Sequence, residues 1–98
     1  MDMKSLKIIG KKYVIRFHEQ MSEIMKGDMG SCDYRKQVID VSNDIHPDEM
    51  ADTMLHEVLH AVDHAMDTQL TENQVRRIAT GLIAVFKDNP KFYSEYLQ

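Results

Sequence analysis

Residues 47–66 read PDEMADTMLHEVLHAVDHAM and predict a single amphipathic helix around which the rest of the chain is organised. Pro47 suits the first helical position because its missing N–H would have no partner there, and Asp48 and Glu49 complement the positive end of the helix dipole. Apolar side chains recur on one face, and polar ones, among them His56 and His60, occupy another. The stripe expected to face the core is Met54, Leu55, Val58, Leu59, Val62 and Met66.

A second long helix is predicted towards the C-terminus. Thr71 is a good N-cap, and Gln74, three residues later, completes the pattern of a capping box, so this helix should begin at Glu72. It should end at Asp88-Asn89-Pro90, because proline disfavours a helical conformation in the residue before it. A short helical turn should follow over residues 91–97. The expected core face of the helix is Val75, Ile78, Ala79, Leu82, Ile83 and Phe86.

The first half of the chain shows the alternation of apolar and polar residues that is typical of half-buried strands. Residues 7–17 predict one or two strands around Gly10, and residues 31–34 and 37–41 predict a hairpin. Residues 18–26 are ambiguous, since their apolar side chains have helical spacing. The expected fold class is therefore α+β, with a small, mostly antiparallel sheet packed on the first helix and a second long helix at the C-terminal end.

Length and composition indicate one soluble domain. With 98 residues, of which 43% are apolar and 29% charged, the chain can form one modest core but not a second folded unit, so residues 1–98 are taken as a single domain. Its apolar runs are far shorter than the roughly 20 residues of a membrane span. No secretion signal is recognisable at the N-terminus, and Cys32 is the single cysteine. We therefore expect no membrane association and a cytoplasmic location.

Acidic residues are concentrated in the middle of the chain. The net charge is -4, and the segment from Asp44 to Glu72 contains eight acidic residues and no Lys or Arg. Such a segment suits a cation. The five basic residues among the first sixteen are too sparse for a nucleic-acid patch, so no nucleic-acid partner is expected.

The sequence HEVLH at residues 56–60 is the main chemical signal. Two histidines four residues apart place both imidazoles on one side of a helix, one turn apart, where they can bind one tetrahedral ion. Glu57 lies at the edge of the same face, where its carboxylate can reach a metal-bound water as general base. The alternative is that His56 and His60 are two solvated histidines on an exposed helix face. The amphipathic helix and the acidic surroundings favour the metal site.

A catalytic zinc site usually has three protein ligands, so a third ligand is needed. Candidates are Asp63, His64, Asp67 and Glu72. Glu72 is preferred because it opens the second helix after a short connection and could lean across to the ion. The less favoured alternative is that it only interacts with the dipole of its own helix. His64 is the next choice, but each step of four residues turns about 40° around the helix, which points its ring away from His56. Asp63 could orient an imidazole or be a plain solvated aspartate.

The remaining residues with reactive side chains favour structural interpretations. A lone cysteine in a strand, such as Cys32, is more often a small buried hydrophobe than a nucleophile. His18 and His46 have no partner at metal-ligand spacing and are expected at the surface, although His46 precedes the first helix and could approach the site. Tyr34 could donate a hydrogen bond to a reaction oxyanion, but a structural aromatic is the favoured interpretation. The eight methionines are scattered and are interpreted as core residues.

The span from Gly30 to Pro90 resembles small phage- and prophage-encoded zinc metallopeptidases of the broad H-E-x-x-H clan. The matching motifs follow a predicted strand hairpin and read TMLHEVLHAVD at residues 53–63, LTENQV at residues 70–75 and DNP at residues 88–90. The resemblance covers well over half of the chain.

This resemblance implies a minimal zincin-like domain of the gluzincin type. In it, His56, His60 and Glu72 would bind Zn²⁺, and Glu57 would act as base in the hydrolysis of a peptide or protein substrate. A strand, expected at residues 37–41, would border the cleft and pair with an extended peptide. The alternative function is a non-catalytic, zinc-stabilised phage accessory or regulatory module that binds a partner protein.

Overall fold

A four-stranded sheet and two long helices make up the part of the chain that the computed structural model describes, residues 4–19 and 29–98. In chain order the elements are β1 (Lys4–Ile8), β2 (Lys11–His18), β3 (Gly30–Asp33), β4 (Val38–Ser42), α1 (Pro47–Met66), α2 (Glu72–Asp88) and a π-helical turn (Tyr93–Leu97). The α+β class and the bounds predicted for the two long helices are confirmed. Of the ambiguous segment, His18 ends β2, and residues 20–26 lie outside the described residues.

Two hairpins joined by one parallel pairing form the sheet, in the order β1-β2-β4-β3. The pairs β1–β2 and β3–β4 are antiparallel, whereas β2 and β4 are parallel, with Ile15 beside Ile39. The first hairpin turns at Ile9 and Gly10, whose φ angles of 47° and 82° belong to the two-residue turns that follow the twist of the strands. A mostly antiparallel sheet is confirmed, and the parallel pairing at its centre is a feature that was not predicted from the sequence.

One face of the sheet and α1 enclose the core. Ile39 and Val41 of β4 are fully buried there, together with Ala61 of α1, which is 1% exposed. Of the predicted stripe, Met54, Val58 and Val62 pack against this cluster, together with Met50, which was not predicted. Met66, the last residue of the predicted stripe, is 57% exposed, so that part of the prediction is wrong. It is the final residue of α1, where the helix gives way to the connection.

The helix α2 packs against α1 along a narrow stripe. Val75 and Ala79 are fully buried at this contact, but Ile78 and Phe86, which were predicted to face the core, are 40% and 42% exposed. The prediction is wrong for these two residues because the stripe in contact with α1 is narrower than the apolar face of α2. Polar contacts flank the stripe, as Thr80 donates a hydrogen bond to Asp52 and Lys87 pairs with Asp48 across the helices.

The π-helical turn at the C-terminal end falls within the range predicted for a short helical turn. The ring of Phe92 lies 6.1 Å from that of Phe86 and 5.9 Å from that of Tyr96, which connects the turn to the end of α2. Among the helices in the described ranges, none is long and apolar enough to cross a membrane.

Candidate metal centre

The two motif histidines project from α1 into the same space. Their side chains are mostly shielded, with 18% of His56 and 21% of His60 exposed. The Nε2 atoms lie 3.1 Å apart, and the rings meet edge to face with their centroids 4.8 Å apart. This arrangement follows from their spacing of four residues, which corresponds to about one helical turn. The two nitrogens can therefore bind a single ion.

Glu72, the first residue of α2, brings a carboxylate to both imidazoles. Its Oε1 atom lies 2.6 Å from Nε2 of His56, and its Oε2 atom lies 2.9 Å from Nε2 of His60. One ligand atom from each of the three residues lies within 4.8 Å of the other two. The ligand atoms of a tetrahedral zinc ion are about 3.3 Å apart, so shifts of no more than about 1.5 Å would let this donor set fit zinc. Two imidazoles and a carboxylate also match the ligand types of known catalytic zinc sites.

The position of Glu72 depends on the connection between the helices. This connection begins at Asp67, which caps α1 in the left-handed conformation. The Oδ1 atom of Asp63 accepts hydrogen bonds from the backbone N–H of Leu70, at 2.9 Å, and from the hydroxyl of Thr68. Both hydrogen bonds lower the pKa of the Asp63 carboxyl group, and the one from Leu70 has the larger effect. Thr71 and Gln74 then form the predicted capping box and begin α2.

Asp63 therefore has a different role from either of those considered from the sequence. It was expected to orient an imidazole or to be solvated, but among the described residues its carboxylate bonds to the connection and not to a histidine ring. Its contribution to the site is indirect, because the loop that it holds leads directly to Glu72. The pattern of an aspartate followed by a threonine-containing connection was visible in the sequence, but it has no distinctive spacing.

Glu57 lies under β3, where it is 7% exposed, although it is a charged residue. The close approach of β3 depends on Gly30, the first residue of this strand. A Cβ atom at position 30 would lie 2.7 Å from Cγ2 of Thr53 and 3.0 Å from Oε2 of Glu57. Glycine thus allows the strand to cover the carboxylate. This role was not identified from the sequence, since it depends on which strand reaches α1.

A cleft of about 310 Å³ opens beside the three candidate ligands. Gly30, His56, Glu57, Glu72 and Arg76 are among the residues that line it, so the proposed base and two of the proposed ligands face one space. Arg76 was not among the residues selected from the sequence. It lies four residues after Glu72, and this spacing was its only signal.

The strand that borders the cleft is β3. The expectation that residues 37–41 would border the cleft and receive a peptide is wrong, because β4 lies between β2 and β3 and its backbone pairs on both sides. β3 lies at the end of the sheet order and contributes Gly30 to the cleft. Strand order is a long-range property that alternation of apolar residues does not determine.

His64 and Tyr34 lie together, outside the group of three candidate ligands. Their rings stack with centroids 4.1 Å apart and an angle of 3° between the planes. Burial raises the pKa of the Tyr34 hydroxyl above its usual value. The structure thus brings Glu72, the preferred third ligand, to the two imidazoles and does not bring His64, the next choice.

The other side chains considered from the sequence have structural contacts. Cys32 is half-buried, and this burial raises the pKa of its thiol to about 12, which keeps it protonated and a poor nucleophile. The Nε2 atom of His18 lies 2.7 Å from Oδ1 of Asp40 on the outer face of the sheet. His46 caps α1, since its Nδ1 atom accepts a hydrogen bond from the N–H of Asp48 at 3.1 Å. Neither of these histidine contacts was identified from the sequence.

Comparison of the chain with known protein families, with characterised proteins and with solved structures finds no match. The resemblance to small zinc metallopeptidases therefore remains an expectation. The function of the chain has to be inferred from its side chains and their geometry.

Proposed function

We propose that the chain is a zinc-dependent, metallopeptidase-like hydrolase, in which His56, His60 and Glu72 bind Zn²⁺ and Glu57 is the general base. The observation that carries this proposal is the meeting of two imidazole nitrogens and one carboxylate from two different helices, beside a shielded glutamate and an open cleft. Surface histidines and acids are common, but this combination beside one cleft is the one that metal-assisted hydrolysis requires.

The proposed chemistry divides between the ion and Glu57. Bound zinc would polarise the scissile carbonyl and lower the pKa of a water molecule to about 7. Glu57 would accept a proton from the attacking water and return it to the nitrogen of the leaving amine. Its placement under β3, held by the close approach at Gly30, supports this role because a general base must keep a defined orientation.

We further propose that a peptide binds in extended form along β3. This strand lies at the end of the described sheet and begins at the cleft, so main-chain pairing would place the scissile bond near Glu57. The proposal keeps the strand-addition mode that the resemblance implies and moves it from residues 37–41 to β3.

The experiment that tests the site is elemental analysis of the purified protein after brief dialysis. We expect one zinc per chain in the wild type, loss of zinc in His60→Ala and weaker binding in Glu72→Ala. Glu49→Ala is a matched control for Glu72→Ala, since both glutamates lie in the first turn of a long helix. Absence of zinc in the wild type, even after it is resupplied, would disprove the metal site.

Hydrolysis is tested separately with a peptide library and the Glu57→Gln variant. Removal of a general base typically lowers the rate by about 10²–10⁴-fold, and we expect a loss in this range. Zinc content should be unchanged, because Glu57 is not one of the proposed ligands. Equal cleavage by the two zinc-loaded proteins would contradict the catalytic role of Glu57.

A second function, a non-catalytic zinc-stabilised binding module, is favoured by one observation. The proposed ion would join α1 to α2, which otherwise contact each other through a narrow buried stripe at Val75 and Ala79 and the polar pairs that flank it. In such a module, metal binding contributes directly to folding. Removal of zinc would then unfold the chain, whereas a mainly catalytic site would leave it folded, although with a lower melting temperature.

A further inference from the structure

Arg76 brings a positive charge into the cleft of the candidate metal centre. It follows Glu72 by four residues on α2, which places both side chains on the same face of the helix. Both line the cleft of about 310 Å³, together with His56 and Glu57. A residue that carries a guanidinium group thus lines the space in which the proposed reaction would occur.

This guanidinium has no carboxylate partner in the described part of the chain. The Nη2 atom of Arg76 donates a hydrogen bond to the side-chain oxygen of Asn73, a neutral group. Asp52 also lines the cleft, but its carboxylate accepts hydrogen bonds from Thr80, and that of Glu72 faces the two imidazoles. The arginine therefore retains donors for a ligand.

The charges around the cleft permit an anionic ligand once a divalent ion is bound. Three carboxylates, those of Asp52, Glu57 and Glu72, and the guanidinium of Arg76 line it. With neutral imidazoles, a divalent cation brings the formal charge of this group to zero, so that a carboxylate entering the cleft meets no net repulsion. Arginine also offers parallel N–H donors that match the two oxygens of a carboxylate.

We propose that Arg76 binds a carboxylate of the substrate and makes the site selective for peptides that carry one close to the scissile bond. This inference rests on the proposed zinc-dependent function. The carboxylate could come from the C-terminus of a peptide or from an Asp or Glu side chain. Arg76 is thus a specificity-determining residue rather than a residue that takes part in proton transfer.

The test measures binding of three small hydroxamates to the zinc-loaded, full-length chain by titration calorimetry. Each probe is a malonyl hydroxamate, which chelates zinc, coupled through its other end to one amino acid. The amino acids are glycine with a free carboxylate, glycine amide and aspartic acid α-amide. The first probe therefore carries a terminal carboxylate, the second carries none, and the third carries a side-chain carboxylate.

We expect the wild type to bind at least one carboxylate probe about 10-fold more tightly than the neutral probe, and Arg76→Gln to lose this preference. Whichever carboxylate probe is preferred identifies the source of the group. Arg77→Gln is the matched control, since Arg77 is the next residue on α2 and does not line the cleft. It should retain the preference.

Three other outcomes would overturn the inference. Equal affinity of the wild type for all three probes would show that Arg76 does not recognise a carboxylate. An equal loss of affinity for every probe in Arg76→Gln would indicate binding of a carbonyl group that all three share. If no probe binds the wild type, its zinc content decides what has failed: with one zinc per chain the inference alone fails, and without zinc the proposed zinc site fails and the inference fails with it.

Discussion

The helices α1 and α2 are held in the fold in different ways, although the candidate metal centre takes side chains from both. α1 lies between the sheet and α2, and Ala61 on it is 1% exposed. α2 leaves Ile78, on its predicted core face, 40% exposed. The candidate ligands differ in the same way, since the side chains of His56 and His60 are 18% and 21% exposed and that of Glu72 is 69% exposed.

This contrast indicates that one half of the centre is preorganised by packing and the other half is not. The two imidazoles are positioned by a helix that the core holds in place. Glu72 is positioned by a connecting loop and by the narrow contact at Val75 and Ala79. Regions with few buried apolar contacts open at lower free energy than the core. An ion bound to all three ligands would therefore stabilise α2 more than α1.

The largest expected effect on the free energy of unfolding comes from comparing an isoleucine-to-alanine substitution in the sheet with one on α2. Ile39→Ala removes a fully buried side chain at the centre of the sheet and should lower the free energy of unfolding by about 2–5 kcal/mol. Ile78→Ala, at a site 40% exposed on α2, should lower it by less than about 1 kcal/mol, because less apolar area is returned to water. Urea denaturation measures both values. Equal losses would show that α2 is packed as firmly as the sheet.

Zinc should sharpen the same contrast. At a free zinc concentration 100 times the dissociation constant, binding should add about 2.7 kcal/mol to the free energy of unfolding. Hydrogen exchange should slow most for the amides of α2, whose first residue is Glu72, and less for those of the sheet. His60→Ala is the control, and zinc should not slow exchange in it. A uniform change across both helices in the wild type would contradict the proposed coupling to α2.

Replacing two glycines by alanine, one in β3 and one in α2, should change the stability of the fold in opposite directions. Gly30→Ala places a methyl group 2.7 Å from Cγ2 of Thr53 and should destabilise the fold by about 1–3 kcal/mol through overpacking. It should also lower hydrolysis, because Glu57 lies in the same contact. Gly81→Ala in α2 meets nothing within 4 Å and should stabilise the fold by about 0.5–1 kcal/mol, since alanine favours the helix. Thermal unfolding of the two variants measures these shifts. The same sign for both would contradict the close approach at Gly30.

The features that could be predicted from the sequence are those that depend on neighbours in the chain. The bounds of α1 and α2 follow from Pro47, the capping box at Thr71 and the stop before Pro90, and each of these acts within a few residues. The meeting of His56 and His60 likewise follows from helical spacing alone. Local chemistry was sufficient in these cases.

The features that could not be predicted depend on contacts between distant segments. Three such features depend on which surfaces meet in three dimensions. They are the position of β4 inside the sheet, the close approach at Gly30 and the exposure of Ile78. Neither alternation nor amphipathicity contains that information, because each pattern states that a face is apolar and not which partner covers it. Glu72 lies between these cases, since its helix start was predictable and its approach to the imidazoles required the loop geometry.

The smallest expected effect concerns Asp63, which holds the loop before Glu72. Hydrogen bonds from Leu70 and Thr68 lower the pKa of its carboxyl group in the folded state. The ionised carboxylate therefore stabilises the fold above the unfolded pKa of about 4. This stabilisation is lost as the pH falls through the lower pKa of the folded state. Without zinc, Asp63→Asn should have a lower melting temperature than the wild type between pH 5 and pH 7, by roughly the same amount throughout this range, and the difference should shrink below about pH 4. Asp67→Asn, in the same connection, is the control, because it removes a carboxylate that accepts neither of these two hydrogen bonds. A difference between Asp63→Asn and the wild type that persists unchanged in acid would show that the charge of Asp63 does not hold the loop.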